Sequence, residues 1–247
     1  MNKYSLSLVA TVFNEEELLE SFVRKSVRDL STVADDFEII LVDDGSTDQS
    51  REIENRMADE FPEVKLVLLS ENMGAGASYI PGFEAASKKI VFNNTVDAFL
   101  NTEDLPKILP FLQGADVVSC YRTDLRANNF YQKILTLGNY WLIRALFPLK
   151  LRSYQSAQFH RNDFLRNINI EGRSSFISPE LLLKAHSLGR SIKEVPFVFH
   201  ARSGGKAKGG KLKFILRAFW DILRFWFKWR IRRCPIAVLD GKNYFLK

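Results

Sequence analysis

A chain of 247 residues, 46% hydrophobic and 26% charged, is long enough for one large domain and has a globular composition, which excludes a disordered chain. Its formal net charge of +6 suits a phosphate-rich ligand or an anionic membrane and does not choose between them. Two cysteines, Cys120 and Cys234, make no disulfide framework and indicate a reducing compartment. Because no run of 18 apolar residues occurs, the sequence predicts no transmembrane helix.

Apolar runs alternate with helical patterns along the first half of the chain. The predicted strands lie at 6–13, 38–42, 64–69, 90–92 and 115–121, and the predicted helices at 15–33, 48–61, 77–88 and 103–111. Further on, helices are predicted at 133–147 and 179–188, and a strand at 192–200. Ser46 or Thr47 is the expected N-cap of the second helix. Continuous apolar strands that alternate with helices predict a mostly parallel α/β sheet covered on both faces.

Polar segments follow four of these strands, where such sheets bind ligands. They are 13–16, 43–46, 72–76 and 95–97. The adjacent acids Asp43 and Asp44 come directly after a buried strand, and Gly45 lets the backbone approach a ligand closely. The two carboxylates have two interpretations: they accept hydrogen bonds from a nucleobase or ribose, or they cap the next helix.

The ordered motifs VATVFNEEELL, IILVDDGSTDQS and ENMGAGASYIPGFEAA resemble those of the family 2 glycosyltransferases. So do the segment around Asp97, the stretch SFISPELLLKAHSLGRSIKEVPF and the loop RSGGKAK. The resemblance covers about residues 5 to 215 and is greatest to the polyprenyl-phosphate branch, which includes dolichyl-phosphate-mannose synthases.

This resemblance implies a GT-A fold, a Rossmann-like sheet that binds a nucleotide-sugar, linked to UDP or GDP, at its strand ends. Carried over, the nucleotide-sugar site would comprise Thr11, Phe13, Asn14, Glu16, Asp43, Asp44, Gly74, Gly76 and Thr95. Asp97 would face the diphosphate and its metal. Arg202 and Lys208 would hold phosphate groups, with Lys206 beside them, and Arg122 is a further candidate for the acceptor phosphate.

The sequence departs from the family pattern at the metal motif. When the sequence is set against the family's Asp-x-Asp motif, Thr95 stands at the first acid and Asp97 at the second. Phe99 then stands where the family usually has a polar residue. Mg²⁺ and Mn²⁺ prefer oxygen ligands in octahedral geometry, and this segment offers fewer of them. Altered donor preference, metal-independent transfer and lost activity are the three readings of this change. In the metal-independent reading, Lys206 and Lys208 screen the leaving diphosphate.

Glu180 stands at the family's ELL position and is a candidate to orient the acceptor or the sugar. Its alternative is a first-turn acid that is favoured by the helix dipole, after Ser178 as N-cap and Pro179 at the first helical position. Arg122 likewise has an ordinary surface ion pair as its alternative.

Residues 211–233 combine a stripe of charges with Phe, Trp, Ile and Leu on the rest of a predicted helix. The charges fall at steps of three and four, at Lys213, Arg217, Asp221, Arg224, Lys228 and Arg232. This pattern favours a helix that lies on a membrane surface over one that docks on the enzyme or at a dimer interface. Its apolar face is too wide for a nucleic-acid groove.

Together these features predict a glycosyltransferase domain at 1–210 and a basic aromatic tail at 211–247. The expected enzyme is an inverting transferase, peripheral on the cytoplasmic face of the membrane. It moves a sugar to undecaprenyl or dolichyl phosphate. The alternatives are the same fold with another glycolipid or polysaccharide acceptor, and a degenerate homologue that binds a nucleotide or partner without turnover.

Overall fold

The computed structural model describes residues 4–96, 100–123, 130–197, 212–239 and 241–246, apart from the side chains of 75, 130–134 and 212–215. The strands of the main sheet are β1 (Tyr4–Val12), β2 (Ala34–Asp43), β3 (Val64–Leu68), β4 (Ile90–Thr95), β5 (Val117–Arg122), β6 (Gln158–Arg161) and β7 (Ile192–Phe197). The helices are α1 (Leu19–Val33), α2 (Ser50–Glu60), α3 (Ala75–Ala85), α4 (Leu105–Ile108), α5 (Phe130–Leu146), α6 (Asn162–Arg166), α7 (Ile177–Ser187) and α8 (Leu212–Trp226). Short 3-10 segments, Thr102–Asp104 and Leu109–Gln113, flank α4, and a two-stranded hairpin, β8 (Ala237–Leu239) and β9 (Lys242–Tyr244), follows α8.

The seven strands form one sheet in the order β3-β2-β1-β4-β6-β5-β7. Among the described residues, β6 alone runs against the others, pairing antiparallel with β4 on one side and with β5 on the other. The expected mostly parallel α/β sheet is therefore confirmed. The carboxyl ends of β1, β2, β4, β5 and β7 all point toward the same edge of the sheet.

Alternating side chains of the central strands pack against two separate layers of helices. In β2, Ile39 and Leu41 join the core formed with α1 and α2, whereas Ile40 and Val42 join the core formed with α3, α5, α7 and α8. This period of two, with apolar residues on both faces, accounts for the continuous apolar runs in the sequence.

Several element boundaries differ from the predictions. The first helix begins at Leu19 rather than 15, because the preceding residues form a turn whose backbone binds the start of α2. The helix of the SPELL segment begins at Ile177 with Phe176 at the N-cap position, so the expected cap at Ser178 is wrong. The strand expected at 192–200 is described as far as Phe197.

The basic aromatic tail forms α8, which continues as one π-helical turn, Phe227–Ile231. One face docks on the domain through Ile222, Phe225 and Trp229, which are all about 1% exposed. The aromatic rings of Phe225 and Trp229 pack against Phe176. No helix within the described ranges is long and apolar enough to cross a bilayer.

Candidate active site

Asn14 helps to join the loops that follow β1 and β2. Asn14 has a positive φ of 54°, and its backbone N–H donates to Ser46 Oγ at 3.1 Å. Its side-chain oxygen accepts from the backbone N–H of Thr47 at 2.8 Å. Ser46 and Thr47 therefore bind Asn14 and do not cap α2 as expected. The Asp48 carboxylate instead accepts from the N–H of Ser50, at 3.0 Å.

Glu16 takes part in the same junction. One of its carboxylate oxygens accepts from the backbone N–H of Gln49 at 2.9 Å, and its own N–H donates to Asp48 at 3.3 Å. The side chain is exposed and Phe13, three residues earlier, is half-buried. These contacts give Glu16 a role in fixing the loop, and its contact with a nucleotide stays a prediction.

The sheet register brings the predicted strand-end residues together. Thr11 of β1 lies beside Val42 of β2 on one side and beside Thr95 of β4 on the other, and Val12 lies beside Asp43. Neighbouring strands are about 4.8 Å apart, so these side chains occupy one short stretch of the sheet edge. Thr11, Asn14, Asp43 and Thr95 thus converge as the sequence predicts.

Asp43 is completely buried and fully bonded. One carboxylate oxygen accepts from the Ser46 N–H at 2.8 Å, and the other accepts from Arg51 Nε at 2.9 Å and from a second guanidinium nitrogen. Arg51 also donates to the Leu69 carbonyl at 3.3 Å, and its side chain is 43% exposed. A partly exposed arginine therefore covers the carboxylate that is a candidate to recognise the base.

Asp44 is also buried, but its partners are backbone groups of the next candidate segment. Its two oxygens accept from the N–H groups of Met73 and Gly74 at 2.7 and 3.0 Å. Gly74, with φ of 87°, is the N-cap residue of α3. The interpretation that these acids cap the next helix, α2, is therefore wrong, because Asp44 binds the two residues that precede α3. A carboxylate at this position is favoured by the helix dipole.

The first turn of α3 fits tightly against two other parts of the chain. A Cβ on Gly76 would lie 2.1 Å from the carbonyl oxygen of Ser174, so only glycine permits this approach. Arg217 of α8 donates to the Met73 carbonyl at 3.2 Å. The glycine-containing segment that is predicted to line the donor is thus held by Asp44, Ser174 and Arg217.

Glu180 belongs to a buried ionic cluster beneath this segment. Its carboxylate oxygens accept from the N–H groups of Glu171 and Gly172 at 2.9 and 2.6 Å, and one of them lies 2.8 Å from Lys184 Nζ. Both charged side chains of the pair are fully buried. Glu180 is a first-turn acid of α7, and these contacts favour a structural role over direct contact with a sugar or acceptor.

The segment expected to hold a metal offers few oxygen donors among the described residues. Thr95 contributes a half-buried hydroxyl. The side chain of Asn94 is used internally, donating to the Leu100 carbonyl at 2.8 Å and accepting from the Thr95 N–H at 3.0 Å. Within the described ranges no three His, Cys, Asp or Glu side chains cluster as metal ligands. The described donors alone do not make up a site for Mg²⁺ or Mn²⁺, and Asp97, the predicted second acid of the motif, lies outside the described residues.

The remaining predicted residues are divided between described and undescribed parts of the chain. Arg122 is half-buried at the end of β5, where it lies beside Phe197 of β7 at the same edge of the sheet as the other candidates. Five predicted residues lie outside the described residues: Asp97, Phe99, Arg202, Lys206 and Lys208.

Two residues at the site were missed from sequence alone. Arg51, which covers Asp43, looks like any helical surface arginine, and its partner lies eight residues earlier on another element. Arg217 belongs to the charged stripe of the tail, but it contacts Met73, in the segment that is predicted to line the donor. The regular spacing of that stripe was a signal that it shares one side of α8, without indicating what that side meets.

Known proteins resemble this chain in sequence and in fold. An undecaprenyl-phosphate 4-deoxy-4-formamido-L-arabinose transferase from Edwardsiella ictaluri is 29% identical over 219 residues, covering 85% of this chain and 64% of its own. The Pectobacterium carotovorum enzyme of the same name is 28% identical over 223 residues, covering 89% and 66%. This chain therefore spans just under two thirds of the length of these curated relatives.

Among solved structures, one similar fold is glucosyl-3-phosphoglycerate synthase from Mycobacterium tuberculosis, in complex with Mn²⁺, UDP and glucosyl-3-phosphoglycerate. It superposes with a TM-score of 0.65 at 17% identity, and the match covers 90% of this chain and 80% of the synthase. A mannosyltransferase from Pyrobaculum calidifontis, in complex with GDP-Man and Mn²⁺, gives 0.65 at 18% identity, covering 91% and 65%. At such identities the likeness shows an α/β GT-A-like fold. The family model for glycosyl transferase family 2 matches residues 7–175, more than half of the sequence, and the chain belongs to that family.

Proposed function

We propose that this protein transfers a sugar from a nucleotide-sugar to a polyprenyl phosphate at a membrane surface, with inversion at the anomeric carbon. The observation that carries the proposal is the second, outward face of α8. On this face Trp220 is 67% exposed, and the other exposed apolar residues are Leu216, Phe219, Phe227 and Ile231. A helix that docks on a glycosyltransferase domain by one apolar face and exposes another suits a lipid-linked acceptor.

The charges of α8 also suit a membrane surface. Arg224 and Arg232 are exposed beside the apolar face, where they would meet anionic headgroups. Arg217 and Lys228 instead contact the body of the protein, at the Met73 carbonyl and the Glu171 carboxylate. α5 contacts α8 and carries a further exposed tryptophan, Trp141. The stripe predicted from the sequence is therefore divided between the body of the protein and the solvent.

The chemistry follows from an acceptor that is already anionic at neutral pH. A phosphate oxygen of the acceptor attacks the anomeric carbon as the bond from that carbon to the donor diphosphate breaks. The products are a polyprenyl phosphate-linked sugar and a nucleoside diphosphate, and no strong general base is required. The protein's task is alignment and stabilisation of the leaving charge. Arg122, at the same sheet edge as Thr11 and Thr95, is a described candidate for this charge.

Product identification tests the proposal. The purified chain is incubated with vesicles that contain undecaprenyl phosphate and with a panel of UDP- and GDP-linked sugars, and the lipid is analysed by mass spectrometry. We expect one sugar to appear on the lipid phosphate, and NMR of the purified product to show an anomeric configuration inverted from that of the donor. Nucleotide binding without transfer to this lipid would favour another glycolipid or polysaccharide acceptor. Absence of both binding and transfer in folded protein would favour the degenerate homologue.

Vesicle binding tests the membrane face separately. We expect the double variant Trp220→Ser, Phe227→Ser to partition into phosphatidylcholine–phosphatidylglycerol vesicles at least about tenfold less than the wild type, because each large apolar side chain contributes about 1.5–3 kcal/mol on burial. The measurement is co-sedimentation at low and high salt. Leu68→Ser is the matched control, since Leu68 is an exposed apolar residue on the edge strand β3. Equal partitioning of all three proteins would contradict the membrane face.

A further inference from the structure

Beneath the candidate base-reading carboxylate lies an acid that the mechanism does not use. Glu54 of α2 is completely buried, and neither of its carboxylate oxygens has a hydrogen-bond partner. A buried polar group without a partner destabilises a fold by about 1–3 kcal/mol, so its presence in the second turn of α2 calls for an explanation.

The position of Glu54 supplies that explanation. Glu54 follows Arg51 by three residues on α2, and side chains at this spacing are neighbours on a helix surface. Arg51 is at present bonded to the Asp43 carboxylate. Two carboxyl groups are therefore near its guanidinium: that of Asp43, to which it is bonded, and that of Glu54, which has no hydrogen-bond partner. The Arg51 side chain is 43% exposed, which leaves it room to move.

We propose that Arg51 exchanges partners when the donor binds: it leaves Asp43, whose carboxylate then accepts a hydrogen bond from the nucleotide, and it pairs with Glu54. The inference rests on the proposed donor site and adds two positioning residues to it. Asp44 is unsuited to such an exchange, because its partners are backbone N–H groups and not a movable side chain.

The exchange moves a proton as well as an arginine. Burial, and to a smaller extent the nearby carboxylates of Asp43 and Asp48, raise the pKa of Glu54 to about 8, while Arg51 lowers it. At neutral pH Glu54 is thus mostly protonated before the exchange. Direct pairing with Arg51 favours the ionised form, so donor binding would release about one proton to solvent.

The sign of the pH dependence follows. A ligand that releases a proton binds more tightly as pH rises, until the pH passes the pKa of the free protein. We expect the affinity for the donor nucleotide to rise about tenfold per pH unit below about pH 7 and to level off above about pH 8. The nucleotide's own phosphate also titrates near this range, so the informative quantity is the difference between the wild type and a Glu54 variant.

The experiment is calorimetric titration of UDP and of GDP into wild type, Glu54→Gln and Glu52→Gln. Each titration is repeated in buffers of different ionisation enthalpy at about pH 7, and again between about pH 6 and pH 9. Glu52→Gln is the matched control because Glu52 is an exposed acid on the same helix. Thermal unfolding of each protein verifies that it is folded.

We expect the wild type and Glu54→Gln to differ by about one released proton, and the variant to lack the steep pH dependence of affinity. Glu52→Gln should behave as the wild type. Equal proton release by wild type and Glu54→Gln, with a nucleotide bound, would overturn the exchange and leave the donor site standing. A variant that changes only the unfolding temperature would indicate a purely structural Glu54 and would also overturn it. Failure of the wild type to bind either nucleotide would overturn the donor site itself, and the exchange with it.

Discussion

Replacing Lys184 with methionine should destabilise the protein by about 3–5 kcal/mol, although Lys184 lies outside the candidate site. Lys184 is completely buried, with its Nζ 2.8 Å from the equally buried Glu180 carboxylate. It also donates to the Asn169 carbonyl and lies 5.7 Å above the ring of Trp229. Methionine preserves the length of the side chain but leaves a buried carboxylate without its cation. Chemical denaturation followed by circular dichroism measures the loss.

A second substitution identifies the cause of that loss. Adding Glu180→Gln to Lys184→Met removes the uncompensated charge and should recover about 1–2 kcal/mol. The recovery is partial because the N–H groups of Glu171 and Gly172 bond different carboxylate oxygens, and the amide has only one oxygen to accept either of them. Lys193→Met is the control, because Lys193 is an exposed lysine that also lies over an aromatic ring, that of Phe111. Unfolding of Lys184→Met within about 1 kcal/mol of the wild type would show that the buried pair contributes little.

The same cluster links α7 to α8 and to the π-helical turn that follows it. Glu171, whose backbone N–H binds Glu180, pairs through its side chain with Lys228 of the π-helical turn. Trp229, beneath Lys184, is among the residues that dock α8. Loss of Lys184 should therefore also loosen α8, and the tryptophan fluorescence of the variant should shift to the red at denaturant concentrations below the main transition.

Local patterns in the sequence were sufficient to predict most of the sheet. Strands β1 to β5 are apolar runs in which successive side chains pack alternately against the two helix layers. The apolar runs themselves are visible in the sequence. The strand β6 was missed because it is four residues long and polar, with Gln158 and His160 among them. It exists because β4 and β5 enclose it, so its cause is tertiary pairing and not propensity.

The candidate site was predictable to the same depth. Its predicted location at the strand ends follows from the parallel sheet, whose register places Thr11 beside Thr95. The partners of its acids were not predictable, because Asp43 meets Arg51 and Asp44 meets Met73 only once the loops have folded. The burial of Glu54 was not predictable from the sequence, because an acid within a polar helix segment is expected on the surface.

Substituting alanine for Gly76 should cost about 1–3 kcal/mol of stability and should weaken UDP or GDP binding by about tenfold or more. The added Cβ would lie 2.1 Å from the Ser174 carbonyl oxygen and 2.4 Å from its carbonyl carbon. Both are backbone atoms, so no side-chain rotation relieves the overlap. Either α3 or the Ser174 segment must move, and α3 begins directly after the residues that Asp44 binds.

The matched control is Gly138→Ala in α5, where an added Cβ meets nothing within 4 Å. Alanine within a helix is more favourable than glycine by about 0.5–1 kcal/mol, so this variant should be slightly more stable than the wild type and bind nucleotide equally well. Denaturation and calorimetric titration of both variants separate the two effects. A stable Gly76→Ala that binds nucleotide normally would mean that the Ser174 backbone can shift without loss of stability or of nucleotide affinity. Loss of binding with little loss of stability would instead mean that the position of the first turn of α3, more than the packing beneath it, governs recognition of the donor.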